Sequence, residues 1–406
     1  MILTLSNGMR IAVMQSTGDV TYCGILVDAG TRDEPADLPG LAHFVEHTIF
    51  KGTARRSSWH ISNRMESIGG ELNAYTNKEG TAVYSIAPSG YDEAYVERGI
   101  ELIADLIAGA SFPARELDKE REVIVEEINS YLDNPSESVF DRFEDHIYAG
   151  SSLAHNILGT PESVRKITGD DCRRFTGRFY NPANMVGFVY TNASPRKVER
   201  ILERHWGRFD RPAIRPERTS PPASSPFDIV KDEDGHQAHT ILGARMFSRH
   251  DPRRFALMLL NNYLAGPCMN SRLNQELREK RGLVYTVDSF VGLLSDTGTM
   301  AIYFGTDRRS VDRCLRIIRA ELDALAQSPL SERQLNRIKQ QYCGQIMVSR
   351  ENPEAIAMSL GKNLLYYNRL PDIPGLVARL RDVTPEELRE VAEMLAPDRC
   401  SRITLM

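Results

Sequence analysis

Hydrophobic positions along the chain switch between two periods, and the switches lay out its elements. Residues 21–30 (TYCGILVDAG) and 82–88 (AVYSIAP) alternate apolar and polar positions, as half-buried strands do. Residues 95–109 instead place Ile100, Ile103, Leu106 and Ile107 at helical spacing, so the chain is of mixed class. The periodicity lapses over residues 211–226 (RPAIRPERTSPPASSP), where proline, serine and charge give the stretch a linker character. A chain of 406 residues exceeds one ordinary core, and domains of roughly 100 to 200 residues imply two. We place them at 1–210 and 227–406, joined by the linker 211–226.

The two sides of the linker resemble each other. An offset of 218 residues carries Asp133-Asn134-Pro135 onto Glu351-Asn352-Pro353 and Leu117 onto Leu335. It also sets the helical stretch at 95–108 against 310–325. Ser331 followed by Gln334 is a capping-box signature, opening a second copy of the helical stretch 115–132. The match fades between about residues 50 and 110, so the duplication rests on the combined pattern. The expected fold is α+β, with two homologous domains, each an antiparallel-rich sheet packed with helices, related by internal duplication.

Composition narrows the class of function. At 41% hydrophobic and 26% charged, with no run near the roughly 18 apolar residues of a membrane helix, the chain reads as soluble and globular, without a membrane partner. The first residues lack the parts of a signal peptide, so a cytoplasmic location is expected. A net charge of −5 argues against nucleic acid as a partner, since such affinity needs clustered Lys and Arg. The six cysteines are scattered with no C-x-x-C pair, which predicts reduced, mostly buried thiols.

His43, Glu46 and His47 stand in the arrangement H-x-x-E-H. On a helix, positions i and i+4 share a face, so both imidazoles can reach one cation with Glu46 beside them. Catalytic zinc uses three protein ligands and an open position for water, next to a carboxylate that accepts the water's proton. The spacing is the inverse of the commoner zinc-peptidase motif. The third ligand falls to the acidic stretch 114–131, where Glu120 and Glu127 share one helical stripe and Glu122 and Glu126 a neighbouring one. Spacing alone leaves these four open. His236 and His239 point to opposite faces of a strand and make poor joint ligands.

With these residues in view, nearly the whole chain resembles the insulinase and pitrilysin family of zinc endopeptidases, and especially its short members, the mitochondrial processing peptidase group. The shared segments are Phe50-Lys51-Gly52-Thr53 after the motif, Gly69-Gly70 with Asn73-Ala74-Tyr75, and the run from Glu120 to Glu127. The resemblance implies Glu127 as ligand and Glu120 as its outer partner. It also implies Arg278 and Tyr285 as substrate-binding groups, pre-placed donors for the charge that develops on a carbonyl oxygen. Asn73, Ala74 and Tyr75 are the edge where a peptide is expected to pair as an added strand. The second copy carries no ligands, since the offset turns His43 to His47 into Asn261 to Ala265, and Glu127 into Gln345.

The expected function is zinc-dependent endopeptidase action on unfolded oligopeptides or leader peptides inside a chamber, with one zinc per chain and Glu46 as general base. No serine or cysteine nucleophile is suggested. Short members of the family pair two chains, and a homodimer is expected because this chain holds the whole set of groups. The rival reading, a non-catalytic structural or partner subunit of the same family, usually goes with a broken motif, and this motif is intact.

Overall fold

The computed structural model describes residues 1–233 and 235–406. The first half of the chain runs β1 (Ile2–Thr4), β2 (Arg10–Gln15), β3 (Thr21–Val27), α1 (Leu41–Thr48), α2 (Ser58–Glu66), β4 (Glu71–Thr76), β5 (Thr81–Ala87), α3 (Ala94–Gly109), α4 (Ala114–Leu132), α5 (Pro135–Ile147), α6 (Pro161–Lys166), α7 (Gly169–Phe179), β6 (Met185–Thr191) and α8 (Pro195–His205). The second half runs β7 (Asp228–Lys231), β8 (Gln237–Met246), α9 (Arg254–Ala265), β9 (Val284–Leu293), β10 (Gly298–Asp307), α10 (Val311–Gln327), α11 (Glu332–Ser349), α12 (Pro353–Tyr367), α13 (Ile373–Asp382), α14 (Pro385–Glu393) and β11 (Ser401–Leu405). Residues 211–226 carry neither helix nor strand.

The duplication is visible in the sheets. One has the order β1-β2-β6-β3-β5-β4 and the other β7-β11-β8-β10-β9, the same path without the short first strand. In each, one parallel pair (β2 with β6, β7 with β11) joins otherwise antiparallel ladders. The offset of 218 carries the pair Thr21↔Ala87 onto His239↔Gly305, and Val27↔Thr81 onto Arg245↔Thr299. Sequence similarity fades across residues 50–110 while strand register does not. Register depends on which face each side chain takes, and many apolar residues satisfy that requirement.

Two helices are exchanged between the halves. One compact unit comprises Met1–Asn129, His155–Arg218 and Arg350–Pro371, and the other Ser130–Ala154, Thr219–Ser349 and Asp372–Met406. In the first unit, α12 lays Ala357, Leu360 and Leu364 against Ala12, Leu26, Ala82, Val186 and Phe188 on one face of the sheet. The other face holds the larger core, where Phe44, Val45, Ile61, Ile100, Leu106 and Trp206 are fully buried. In the second unit, α5 plays the corresponding part, setting Val139, Phe143 and Ile147 against Ile241, Ala301, Tyr303, Ile403 and Leu405.

Both exchanged helices start alike, with an asparagine cap and proline in the first turn. Asn134 accepts from the Ser136 amide and Asn352 from the Ala355 amide. The Asp/Glu-Asn-Pro match in the sequence is therefore the signature of the exchanged helices. Ser331 and Gln334 form the reciprocal capping box in front of α11. All six cysteines are unpaired and four are buried.

A charged network lies inside the first unit. The side chains of Arg32 and Glu79 are each 1% exposed and meet at 2.5 Å. Arg218, from the segment after α8, donates to Asp33 at 2.8 Å and to Asp28 at 2.9 Å. Removing one member strands a buried opposite charge. Glu79→Gln is expected to lower stability by about 3–5 kcal/mol, read as a fall in the urea midpoint at unchanged slope.

Candidate metal centre

Helix α1 is oriented by its apolar stripe. Leu41, Phe44, Val45 and Thr48 recur at helical spacing and are at most 1% exposed in the first unit's core. That orientation turns the opposite stripe, His43, Glu46 and His47, toward α4. Helix α4 is set the same way. Leu117, Ile124, Val125 and Ile128 are buried, Glu120 and Glu127 sit partly buried at the border of that stripe, and Glu122 and Glu126 are exposed. The face that α4 buries thus narrows the four glutamates to Glu120 and Glu127.

Three ligand atoms converge. The donor atoms of His43, His47 and Glu127 all lie within 4.8 Å of one another. His43 Nε2 is 3.9 Å from Glu127 Oε1, and His47 Nε2 is 3.5 Å from Glu127 Oε2. Among the described residues this is the only cluster of three or more His, Cys, Asp or Glu with donor atoms so placed. None of it falls in the second unit, where Asn261, Asn262 and Gln345 occupy the offset positions.

The donor set suits zinc. Burial, aided by His47, pushes the His43 pKa down to about 3, so its imidazole is neutral and keeps a lone pair for a cation. Two imidazoles and a carboxylate are the three protein donors a catalytic zinc takes. The imidazoles are fixed differently. His47 Nδ1 faces Glu120 Oε2 at 3.3 Å, and the other oxygen of Glu120 is held by Lys51 Nζ at 2.6 Å. This is the carboxylate–histidine arrangement that orients a ligand ring and raises its basicity. His43 Nδ1 is buried without a hydrogen-bond partner, so its ring is placed by packing and by the position of α1.

Glu46 lies between the ligands and the edge of the sheet. Burial pushes its carboxyl pKa above the usual range, although Thr76 and His47 draw it down, and a carboxylate so placed is a stronger base. The Thr76 hydroxyl is near enough to act on Glu46 but makes no hydrogen bond of regular geometry. Thr76 ends β4, which among the described residues pairs only with β5 and is the edge strand of its sheet. Ala74 packs into the core beneath α1, whereas Tyr75 lies on the α12 face, its ring 5.4 Å from Lys362 Nζ. Asn73 follows Tyr75 by strand alternation and bonds Glu71 at 3.2 Å.

Arg278 and Tyr285 belong to the second unit. Arg278 is exposed on a π-helical turn, Asn274–Glu279, which Glu276 anchors through Lys280 at 2.6 Å and Arg281 at 2.5 Å. Tyr285 is 55% exposed near the start of β9 and points its hydroxyl at Asp307, 3.4 Å away. Sequence reasoning gave Lys51 and Thr76 no role. Lys51 had a signal, since it follows His47 at the i+4 position, whereas Thr76 carried none.

The insulinase family model (Insulinase, Peptidase family M16) matches residues 10–161, and the model for the Peptidase M16 inactive domain matches residues 166–342. The chain is 34% identical over 400 residues to an uncharacterized zinc protease of Streptomyces coelicolor, covering 96% of this chain and 85% of that one. It is 30% identical to the uncharacterized zinc protease YmxG of Bacillus subtilis, covering 97% and 94%. It is 26% identical to the mitochondrial-processing peptidase subunit beta of Caenorhabditis elegans, covering 96% and 86%. In fold it is similar to the crystal structure of a protease from Helicobacter pylori, with a TM-score of 0.92 at 21% identity, covering 100% and 99%. Among the described residues no helix is long and apolar enough to cross a membrane.

Proposed function

The chain belongs to the insulinase family, peptidase family M16, and on that premise we propose that it is a zinc metalloendopeptidase acting on unfolded oligopeptides or leader peptides. The observation that carries the reading is the convergence of His43, His47 and Glu127 beside Glu46. These three residues would hold one zinc, with Glu120 and Lys51 orienting His47. Zinc held there would supply Lewis acidity toward a carbonyl and a water. Glu46 would take the proton of the attacking water and pass it to the leaving amine, so no covalent enzyme intermediate is needed.

Substrate would add as a strand along β4, whose outer edge has no strand partner among the described residues. Main-chain pairing tolerates many sequences and requires an extended peptide, which favours unfolded substrates. On the family resemblance Arg278 and Tyr285, both exposed, would serve as substrate-binding donors. Arg278→Ala and Tyr285→Phe are each expected to lower kcat by about 10²-fold with metal content unchanged; steady-state kinetics beside metal analysis checks this. The full set of groups on one chain supports a homodimer of two active chains, which sedimentation analysis tests.

The reading is tested by incubating purified protein with a fluorogenic, unstructured peptide while assaying bound metal. Cleavage with about one zinc per chain is expected. A protein that holds no metal and leaves the peptide intact would overturn the peptidase assignment.

A further inference from the structure

The N-terminal end of α1 is held by groups that the reaction does not use. The helix starts after Gly40, whose φ of +92° is left-handed and which has no side chain to cap the exposed amides. Glu34 takes that place from six residues upstream. Its Oε2 accepts from the Gly40 amide at 2.9 Å and its Oε1 from the Ala42 amide at 2.6 Å. The Glu34 side chain is wholly buried, and His155 Nε2 meets Oε2 at 3.0 Å. A carboxylate at a helix N-terminus also complements the helix dipole.

His155 is itself tied down, since its carbonyl accepts from Lys78 Nζ at 2.5 Å. Beyond it the chain presses on the turn before α1. A Cβ on Gly40 would lie 2.6 Å from the Leu158 carbonyl oxygen, and one on Gly159, at φ +75°, would lie 2.3 Å from the Pro39 carbonyl oxygen. Ser163 Oγ donates to the same Pro39 oxygen at 2.7 Å. Residues 155–163 and Glu34 therefore form a socket that fixes the axial position of α1. His43 lies one residue beyond the Ala42 amide and has no hydrogen bond orienting its ring.

We propose that Glu34 and His155 are positioning residues for the metal centre: the Glu34 carboxylate, held by His155, anchors the start of α1 and so places the His43 imidazole. The inference rests on the peptidase reading for its consequence in catalysis, but not for its effect on the helix.

The test uses the full chain as wild type, Glu34→Gln and His155→Gln. Zinc affinity is measured by competition with a chromogenic chelator, ligand geometry by the visible absorption of cobalt-loaded protein, and α1 mobility by hydrogen exchange in the metal-free protein. Zinc affinity is expected to fall about 10-fold and the cobalt band to change. kcat should fall with KM little altered, and exchange should quicken in α1 while the strands stay protected. Variants that lose thermal stability but keep wild-type zinc affinity, cobalt spectrum, α1 protection and kcat per folded molecule would overturn the proposal. If Glu34→Gln does not fold, His155→Gln decides on the same readouts, because it leaves both amide bonds of Glu34 in place. A wild type that neither holds zinc nor cuts peptide defeats the peptidase reading alone; α1 exchange in the metal-free variants still decides the anchoring.

Discussion

Glu46→Gln is expected to keep its zinc and lose its turnover, with kcat lower by about 10²- to 10⁴-fold. The amide is isosteric and can occupy the same partly buried place between Thr76 and the ligands, so neither the fold nor the donor set changes. What it cannot do is accept a proton near neutral pH. Because the lost interaction belongs to proton transfer, KM should move far less than kcat. Metal analysis and steady-state kinetics on the same preparation make the comparison, and a variant that cuts at the wild-type rate would remove Glu46 from the mechanism.

Glu127→Gln should act on the metal itself. Replacing the only anionic member of the donor set is expected to weaken zinc binding by more than the roughly 10- to 100-fold typical of an outer-partner change. Glu120→Gln should fall within that smaller range, because it touches the metal only through His47. Glu122→Gln and Glu126→Gln, on the exposed face of α4, should change nothing. The order of the four affinities is the test. If Glu122 or Glu126 carried the loss, the assignment of the third ligand would be wrong. Removing metal from wild type with a strong chelator should stop cleavage, and restoring zinc should recover it.

The strongest sequence signal was a local one. H-x-x-E-H on a helix with an apolar opposite stripe needs only one turn of α1 to be read, because i and i+4 coincide on any regular helix. The third ligand is less local, and spacing leaves two stripes of α4 available. The buried run Leu117, Ile124, Val125 and Ile128 carried usable information, since it sends Glu122 and Glu126 to solvent and leaves Glu120 and Glu127 at the border. The strand register survived where residue identity did not, for the reason that alternation is degenerate in residue type.

The matching Asn-Pro starts marked α5 and α12 as a pair, but their exchange between the sheets had no local signal. Val139, Phe143 and Ile147 say that α5 buries a face, but nothing nearby says which sheet receives it. Glu34 was equally silent, a carboxylate in an irregular loop whose partners are backbone amides and a histidine far along the chain.

The exchanged helices also set the order of events on the ribosome. The last strand of the first sheet ends at Thr191, yet α12, which covers that sheet's second face, begins only at Pro353. At the usual pace of synthesis the apolar surface of Leu26, Val186 and Phe188 waits on the order of ten to thirty seconds for its cover. A nascent chain in that interval presents an unfinished apolar sheet face, the kind of surface that chaperones bind and that aggregates in their absence. The first half, though it holds every residue of the proposed zinc set, cannot complete its own fold until the second half has nearly been made.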